Sequence, residues 1–419
     1  MRTRTTLLLG ALAAFALGCH PAAPEPPDRT LLVLVDTLRR DHLPMFGGDT
    51  DTPHMAALAA RGSVHALTAS FHQTTMSMGA LFTGRTPSLE TGDPAKPLDW
   101  KPAASCGMAR FAERHVPGRC LPDTVATLGE VMRASGRTTV GVVANALLFD
   151  PAGFSRGFDV WREVGVVGKK KAKRAARQRT WRQVNDALRA VLPDLPRDAP
   201  LFLYVHYLDV HDWLYRDMSY AEAVEEMDRG IGDLLESLDA AGLLEGMRIV
   251  LASDHGEMLG GESHVTEATP LHLGNPSFRG VLDVPLVLVG VDASRLPAFP
   301  RSEDLFHLLR GLADGSSDAP ATRDLRADEV FLTELAYQTY QRGRFKSLRR
   351  RDGPLLLLDL EEDPGETRDV AAAHPEVVEA HRRRVETLTR ELSARESAAG
   401  PRQESEVWLD RLRALGYVE

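Results

Sequence analysis

Unbroken apolar runs alternate along this chain with stretches whose apolar residues recur at helical spacing. Residues 29–36 (RTLLVLVD) are a continuous Leu/Val run ending in an acid, the pattern of a strand buried on both faces. Similar runs recur at 138–144, 200–208, 247–253 and 284–289. Helical patterns lie between them, at 52–62, 76–83, 122–135, 168–192 and 219–243. This alternation predicts an α/β fold: a three-layer sandwich with a central, mostly parallel sheet and helices on both faces. Residues 86–121, rich in Pro, Gly and Lys, read as a long surface excursion.

The pattern changes near residue 326. EVFLTEL, FKSLRRR and PLLLLDL are short strand-like pieces, followed by a turn at Glu362-Asp363-Pro364-Gly365 and a helix near 375–395. They mark a small C-terminal α+β subdomain. The closing WLDRLRALGYVE has the pattern of a short amphipathic helix. The chain thus divides at 29–325 and 326–419.

The first nineteen residues read as a targeting segment. Arg2 and Arg4 precede an apolar run from Leu7 to Leu17 that is too short to span a bilayer. The run ends in Ala16-Leu17-Gly18-Cys19, which resembles a bacterial lipoprotein cleavage box. Lipidation of Cys19 would tether an exported protein to a membrane, in the periplasm or outside the cell. Cleavage near Cys19 without lipid would release it. Residues 20–28 would form a stiff Pro-rich tether. Only Cys106 and Cys120 remain; they form a disulfide closing a surface loop or stay as two thiols. A net charge of −9 gives no reason to expect a nucleic-acid partner. The one strong basic run, Lys169 to Arg182, reads first as a solvated helix face.

Three segments carry candidate chemistry: Asp36-Thr37-Leu38-Arg39 after the first strand, Gln73 to Arg85, and Asp254-His255-Gly256-Glu257 after a later strand. Asp36, Asp209 and Asp254 all sit at or just past strand ends, where open α/β sheets build their sites. In order and spacing, the three segments resemble the sulfatase branch of the alkaline phosphatase superfamily, and LLDLEEDPGETRDV resembles its C-terminal signature, which implies an antiparallel sheet in the C-terminal subdomain. The resemblance implies a metal-dependent hydrolase or transferase of phosphate or sulfate esters, acting on a small-molecule or glycan ester. Asp36, Asp254 and His255 would bind one divalent metal ion together with Thr74. Sulfatases usually have a second acid where Thr37 stands and Asn where His255 stands, an all-oxygen calcium set. The His255 nitrogen points instead to zinc or manganese over calcium.

Thr74 stands where sulfatases keep the Cys or Ser that becomes formylglycine. Threonine cannot be so converted, but its hydroxyl can attack phosphorus directly. His211, in a segment similar to the family's strand-end Asp-Pro-His motif, and His272 would contact substrate oxygens or protonate the leaving group. His264 competes with His272 for that role. Asp209, His211 and His272 could also form a second metal site. His206, in mid-strand, is expected to be a satisfied core histidine or one that supports the ligands from behind. Met76, Met78 and Thr91 depart from the family pattern. They leave room for a second reading, a catalytically inactive protein of this fold that binds an anionic glycan or lipid headgroup.

Overall fold

The computed structural model describes residues 28–85, 121, 125–165, 180–268, 271–272, 278–315, 325–326, 328–333, 337–350 and 353–397. Cys19, the Pro-rich tether up to Pro27, Thr91, Cys106, Cys120, most of the Lys169–Arg182 run and the closing helix lie outside the described residues.

Seven strands form the main sheet: β1 (Arg29–Val35), β2 (Ser63–Thr68), β3 (Thr138–Val143), β4 (Val160–Glu163), β5 (Leu201–Tyr207), β6 (Arg248–Ala252) and β7 (Asp283–Val289). Their order is β2-β7-β6-β1-β5-β3-β4. β1 is central and parallel to β5 and β6, with Arg29 opposite Leu201 and Thr30 opposite Arg248. β7 pairs antiparallel with both β6 and β2. Every other strand therefore delivers its carboxyl end to one edge.

All residues of β1 are buried, and its side chains alternate between two cores. Leu32 and Leu34 join the helices Thr74–Thr83, Leu128–Ala134 and Ser302–Asp314 through Met76, Phe82, Met132 and Leu309. Leu31, Val33 and Val35 join Pro53–Ala60, Thr180–Arg189 and Tyr220–Ala240 through Leu58, Val184, Val224 and Ile231. The three-layer expectation therefore holds. Sequence patterning left β2, β4 and the helix Ser302–Asp314 unmarked. β2 and β4 are the two margins of the sheet and are partly exposed, so neither carries a continuous apolar run. The helix expected from 122 begins at Leu128, where a Thr127/Glu130 capping box starts it.

The second sheet is antiparallel, in the order β11-β10-β9-β8, from β8 (Glu329–Thr333), β9 (Tyr337–Arg342), β10 (Phe345–Arg350) and β11 (Leu355–Asp359). One face packs Tyr340 against Val385 and Leu388 of the helix Pro375–Ser397. The other packs Leu348 and Leu358 against Met258, Phe278 and Val281 of the larger domain. Here Lys346 and Glu366 form a buried ion pair at 2.7 Å. Glu366 also accepts the Arg279 N–H at 2.6 Å, and its carbonyl accepts the Val265 N–H at 2.8 Å. The Asp-Pro-Gly-Glu turn thus fastens the small sheet to the loop that follows the candidate site.

A second buried acid holds the C-terminal helix. Glu329 accepts two bonds from Arg384 (2.9 and 2.8 Å), one from the Tyr340 hydroxyl (2.9 Å) and one from the Arg326 N–H (3.1 Å). Burial pushes its carboxyl up, but these donors outweigh it and hold it at about 2. A carboxyl depressed in the folded state stabilises the fold above its unfolded pKa of about 4.3, and that stability is lost as pH falls towards 2. Glu329→Gln should cost about 3 kcal/mol at pH 7, since Arg384 would lose its counter-charge. In denaturant titrations the gap to the unsubstituted protein should close between about pH 4.5 and 2. A gap that stays constant with pH would show that the carboxylate charge is not what holds the helix.

Candidate functional site

The parallel strands place Asp36, Asn145 and Asp254 just past the ends of β1, β3 and β6, with His206 near the end of β5. Asp36, His206 and Asp254 each offer a ligand atom within 4.8 Å of the others, and all three are buried. Asp36 Oδ1, Asp254 Oδ2 and both ring nitrogens of His206 have no hydrogen-bond partner. Buried polar atoms are nearly always paired, so this convergence marks a place for a cation. Burial first, and then the charge of Asp254, raise the Asp36 carboxyl above its usual range.

Neighbouring groups fix these side chains. Asp36 Oδ2 accepts the Asn145 side-chain amide at 2.7 Å. The Asn145 amide oxygen accepts the Leu147 N–H at 2.9 Å, which orients the amide. Asp254 Oδ1 accepts the N–H groups of Thr37 (3.3 Å) and His255 (2.9 Å). Thr37 adopts a left-handed backbone with φ 59°, a strained choice for a β-branched residue. That turn aims the Thr37 N–H at Asp254 and the Leu38 N–H at Ser253 Oγ (2.9 Å).

Thr74 is the first residue of its helix, after the N-cap Gln73. Its hydroxyl does not cap. It lies 3.4 Å from Asp36 Oδ2, 3.3 Å from His255 Nε2 and 3.3 Å from Asn145 Nδ2. His255 Nε2 is 3.8 Å from Asp36 Oδ1 and 3.6 Å from Asp254 Oδ2. Its Nδ1 donates to the Gly256 carbonyl at 2.9 Å, which orients the ring with Nε2 toward the acids. One turn along the helix, Ser77 donates to the Asp254 carbonyl at 2.5 Å and so ties the helix to the acid-bearing turn.

The histidines beyond this cluster differ in state. The ring of His272 is 4.4 Å from that of His255 and 5.5 Å from that of His211. His272 Nδ1 lies 3.2 Å from Glu257 Oε1. Burial, then the charges of His255 and His211, hold His272 well below the usual histidine range, while burial pushes Glu257 up to about 7. Burial would also lower His211, but its bond to Asp212 (3.2 Å) and the charges of Asp36, Asp212 and Glu257 raise it to about 10. An imidazolium and a neutral imidazole therefore stand side by side.

Three readings from sequence change here. His206 is not a satisfied core histidine: among the described residues neither ring nitrogen has a hydrogen-bond partner, and Nε2 lies 4.0 Å from Asp254 Oδ2. Asp209 leaves the site: it accepts the Thr180 hydroxyl at 2.6 Å and faces Arg216 at 3.7 Å, so it does not join His211 and His272. His264 stacks on Phe278 at 4.1 Å and lies 3.1 Å from the Gly365 carbonyl, in the seam with the small sheet.

A family model described as sulfatase matches residues 29–295, more than half of the chain. The chain belongs to the sulfatase family. Among curated relatives it is similar to choline-sulfatase of Rhizobium meliloti, 27% identical over 173 residues, 36% of this chain and 32% of that one. It is similar to steryl-sulfatase of Rattus norvegicus, 34% identical over 83 residues, 18% of this chain and 13% of that one. The matched segments thus span a third or less of these relatives. Among solved structures the fold is similar to a 2-O GAG sulfatase (TM-score 0.61, 13% identity, 92% and 96% of the two chains). It is also similar to the phosphonate monoester hydrolase of Agrobacterium radiobacter (TM-score 0.59, 17% identity, 88% and 97%).

Sulfatase motifs directed attention to Asp36, Thr74, Asp254 and His255, but not to Asn145 or to a ligand role for His206. Asn145 follows an apolar strand and reads as an ordinary helix cap. His206 interrupts an apolar strand, and only the registry of β5 beside β1 puts it next to the acids; Leu34 is its partner. Metal analysis of the purified protein checks the cluster. His206→Ala and Asp36→Asn should each weaken affinity for zinc or manganese by at least about 10–100-fold. Saturating the parent protein to 100 times Kd should raise its stability by about 2.7 kcal/mol. Unchanged affinity in His206→Ala would remove that residue from the ligand set.

Proposed function

We propose that this protein hydrolyses, or transfers from, phosphate or sulfate monoesters, with Thr74 as nucleophile. The observation that carries this reading is the Thr74 hydroxyl held among Asp36, Asn145 and His255 at 3.3–3.4 Å. Asp36 Oδ1, Asp254, His206 and His255 would hold one divalent ion. Their two carboxylates and two imidazoles suit zinc or manganese over calcium. Bound there, the ion would neutralise the ester's oxygens and favour the deprotonated threonine.

The protein's own groups then account for the protons. The Thr74 oxygen forms a bond to phosphorus or sulfur while the bond to the alcohol oxygen breaks. Asp36 Oδ2, 3.4 Å from the Thr74 hydroxyl, takes its proton. His211, cationic near neutrality, gives a proton to the leaving oxygen. The neutral His211 then accepts a proton from water or an acceptor alcohol, whose oxygen bonds to phosphorus or sulfur as the bond to Thr74 breaks and Asp36 Oδ2 returns its proton to the Thr74 oxygen. Asn145 orients the nucleophile and donates to the oxygen that gains charge. His272 and Glu257 line the same wall.

Threonine favours phosphoryl over sulfuryl transfer, because the formylglycine route is closed to it. The named relatives include three sulfatases and a phosphonate monoester hydrolase, so both ester types belong in the assay. We also place the enzyme outside the cytoplasm, tethered through Cys19, on the strength of the basic start, short apolar run and Ala16-Leu17-Gly18-Cys19.

The test is turnover of aryl phosphate and sulfate monoesters by a soluble form beginning at Asp28, with zinc, manganese or calcium. Thr74→Ala should abolish phosphate-ester cleavage. Asn145→Ala should lower kcat by about 10²–10³ with a smaller change in KM. Cleavage that survives Thr74→Ala would show a different nucleophile. Binding of a sulfated glycan without turnover of any ester would favour the inactive binding protein.

A further inference from the structure

The segment after β5 ends in a short turn, Trp213–Arg216, built in an unusual way. Beneath it lies a buried ionic network. Arg216, 6% exposed, pairs with Glu226 at 2.5 Å and faces Asp209 at 3.7 Å. Asp209 is fixed in turn by Thr180. Asp217 closes the turn in the left-handed conformation at φ 56°. On top of this support, Leu214 and Tyr215 are each 45% exposed. Leu271 is 38% exposed, and among the described residues these three and Val64 are the exposed large apolar side chains. Flexible tips expose apolar groups at little cost, but a turn braced by buried charges presents them in a fixed direction.

Their position joins them to the candidate site. Leu214 and Tyr215 follow His211 by three and four residues, and Leu271 precedes His272. The His211 and His272 rings are 5.5 Å apart. The Leu271 N–H bonds the Met258 carbonyl at 2.9 Å, next to Glu257. The Tyr215 N–H bonds the Asp212 carbonyl at 3.0 Å, and the Asp212 carboxylate holds the His211 ring at 3.2 Å, so the turn that carries Tyr215 is tied to the same wall. The cation beside these groups, Arg39, donates to the Glu257 carbonyl at 3.0 Å and is paired with Asp41 and Glu262, so it is not open to a second anionic group.

We propose that Leu214, Tyr215 and Leu271 form an apolar lip that selects esters whose alcohol is a flat or extended hydrophobic group, with no second anionic group. This rests on the ester-hydrolase reading above. In it, the ester enters between His211 and His272, and its alcohol, on the solvent side, lies against the lip. Tyr215 supplies a ring face and Leu214 an aliphatic edge, a combination suited to aromatic and alicyclic carbon.

The test compares phenyl, 2-naphthyl and glucose-6 phosphate and sulfate esters, using the metal-loaded protein and a Leu214→Ser/Tyr215→Ser variant. The substituted positions are exposed, so the fold should persist, and thermal unfolding would check this. The parent should prefer the naphthyl ester over the phenyl and sugar esters in kcat/KM. The variant should lose about tenfold of its naphthyl-over-phenyl ratio. Binding of 2-naphthol, followed by its fluorescence, should weaken in parallel. Turnover with an unaltered ratio would overturn the lip while leaving the esterase reading intact. If no ester turns over but naphthol binding is present and falls in the variant, the lip stands and the esterase reading fails. Loss of binding to neutral phosphatidylcholine vesicles, with naphthyl selectivity and naphthol binding unchanged, would overturn the proposal in favour of a membrane contact.

Discussion

Two carboxylates, Asp36 and Asp254, are held close together and out of water at the carboxyl edge of the sheet, each with an oxygen that no protein donor reaches. Burying one unpaired carboxylate is costly, and burying two side by side more so. Much of the surrounding structure serves to keep them there. β1 and β6 are adjacent strands, so register alone brings their ends together. The strained Thr37, the Ser253 hydroxyl and the Asn145 amide spend polar groups on orientation rather than on cancelling charge. Ser77 ties the helix that carries Thr74 to the backbone of Asp254. A cation held there would offset this cost and so couple folding to metal binding.

The histidines extend the same economy of means. His255, His206, His211 and His272 are chemically identical, yet their surroundings separate them. Two, His206 and His255, face the acids. His211 is made cationic by Asp212 and by the acids of the site, whereas burial keeps His272 neutral. Protonation state thus follows from neighbours, not from residue type. The ionic network under Trp213–Arg216 gives Asp209 a structural task, although its strand-end position resembles that of the ligands.

The sheet was legible in the sequence wherever strands are buried on both faces. RTLLVLV, LFLYVHY and DVPLVLV could hardly be anything else, while β2 and β4 sit at the margins and blend into their surroundings. The candidate site was legible where residues follow strand ends in a motif, as Asp36, Asp254 and His255 do. It was not legible where a residue acts by register, as His206 does. Nor was it legible where the telling fact is which way an amide points, as with Asn145. The C-terminal subdomain followed from its short, repeatedly interrupted strands, and its antiparallel sheet from the family resemblance. The clamp between Lys346 and Glu366 did not, because a single buried pair leaves no periodic trace.

The place of β1 has a consequence for how the chain reaches this state. It is the first strand in the chain and the middle strand of the sheet, and its two partners begin at Leu201 and Arg248. One of its edges stays unpaired until Leu201–Tyr207 has emerged and the other until Arg248–Ala252 has. An apolar, β-prone segment near the amino terminus must wait through that interval, since pairing over such sequence distances is slow. The most strongly encoded strand of the fold is therefore also its longest-exposed liability during synthesis, and the segment with most to gain from a chaperone.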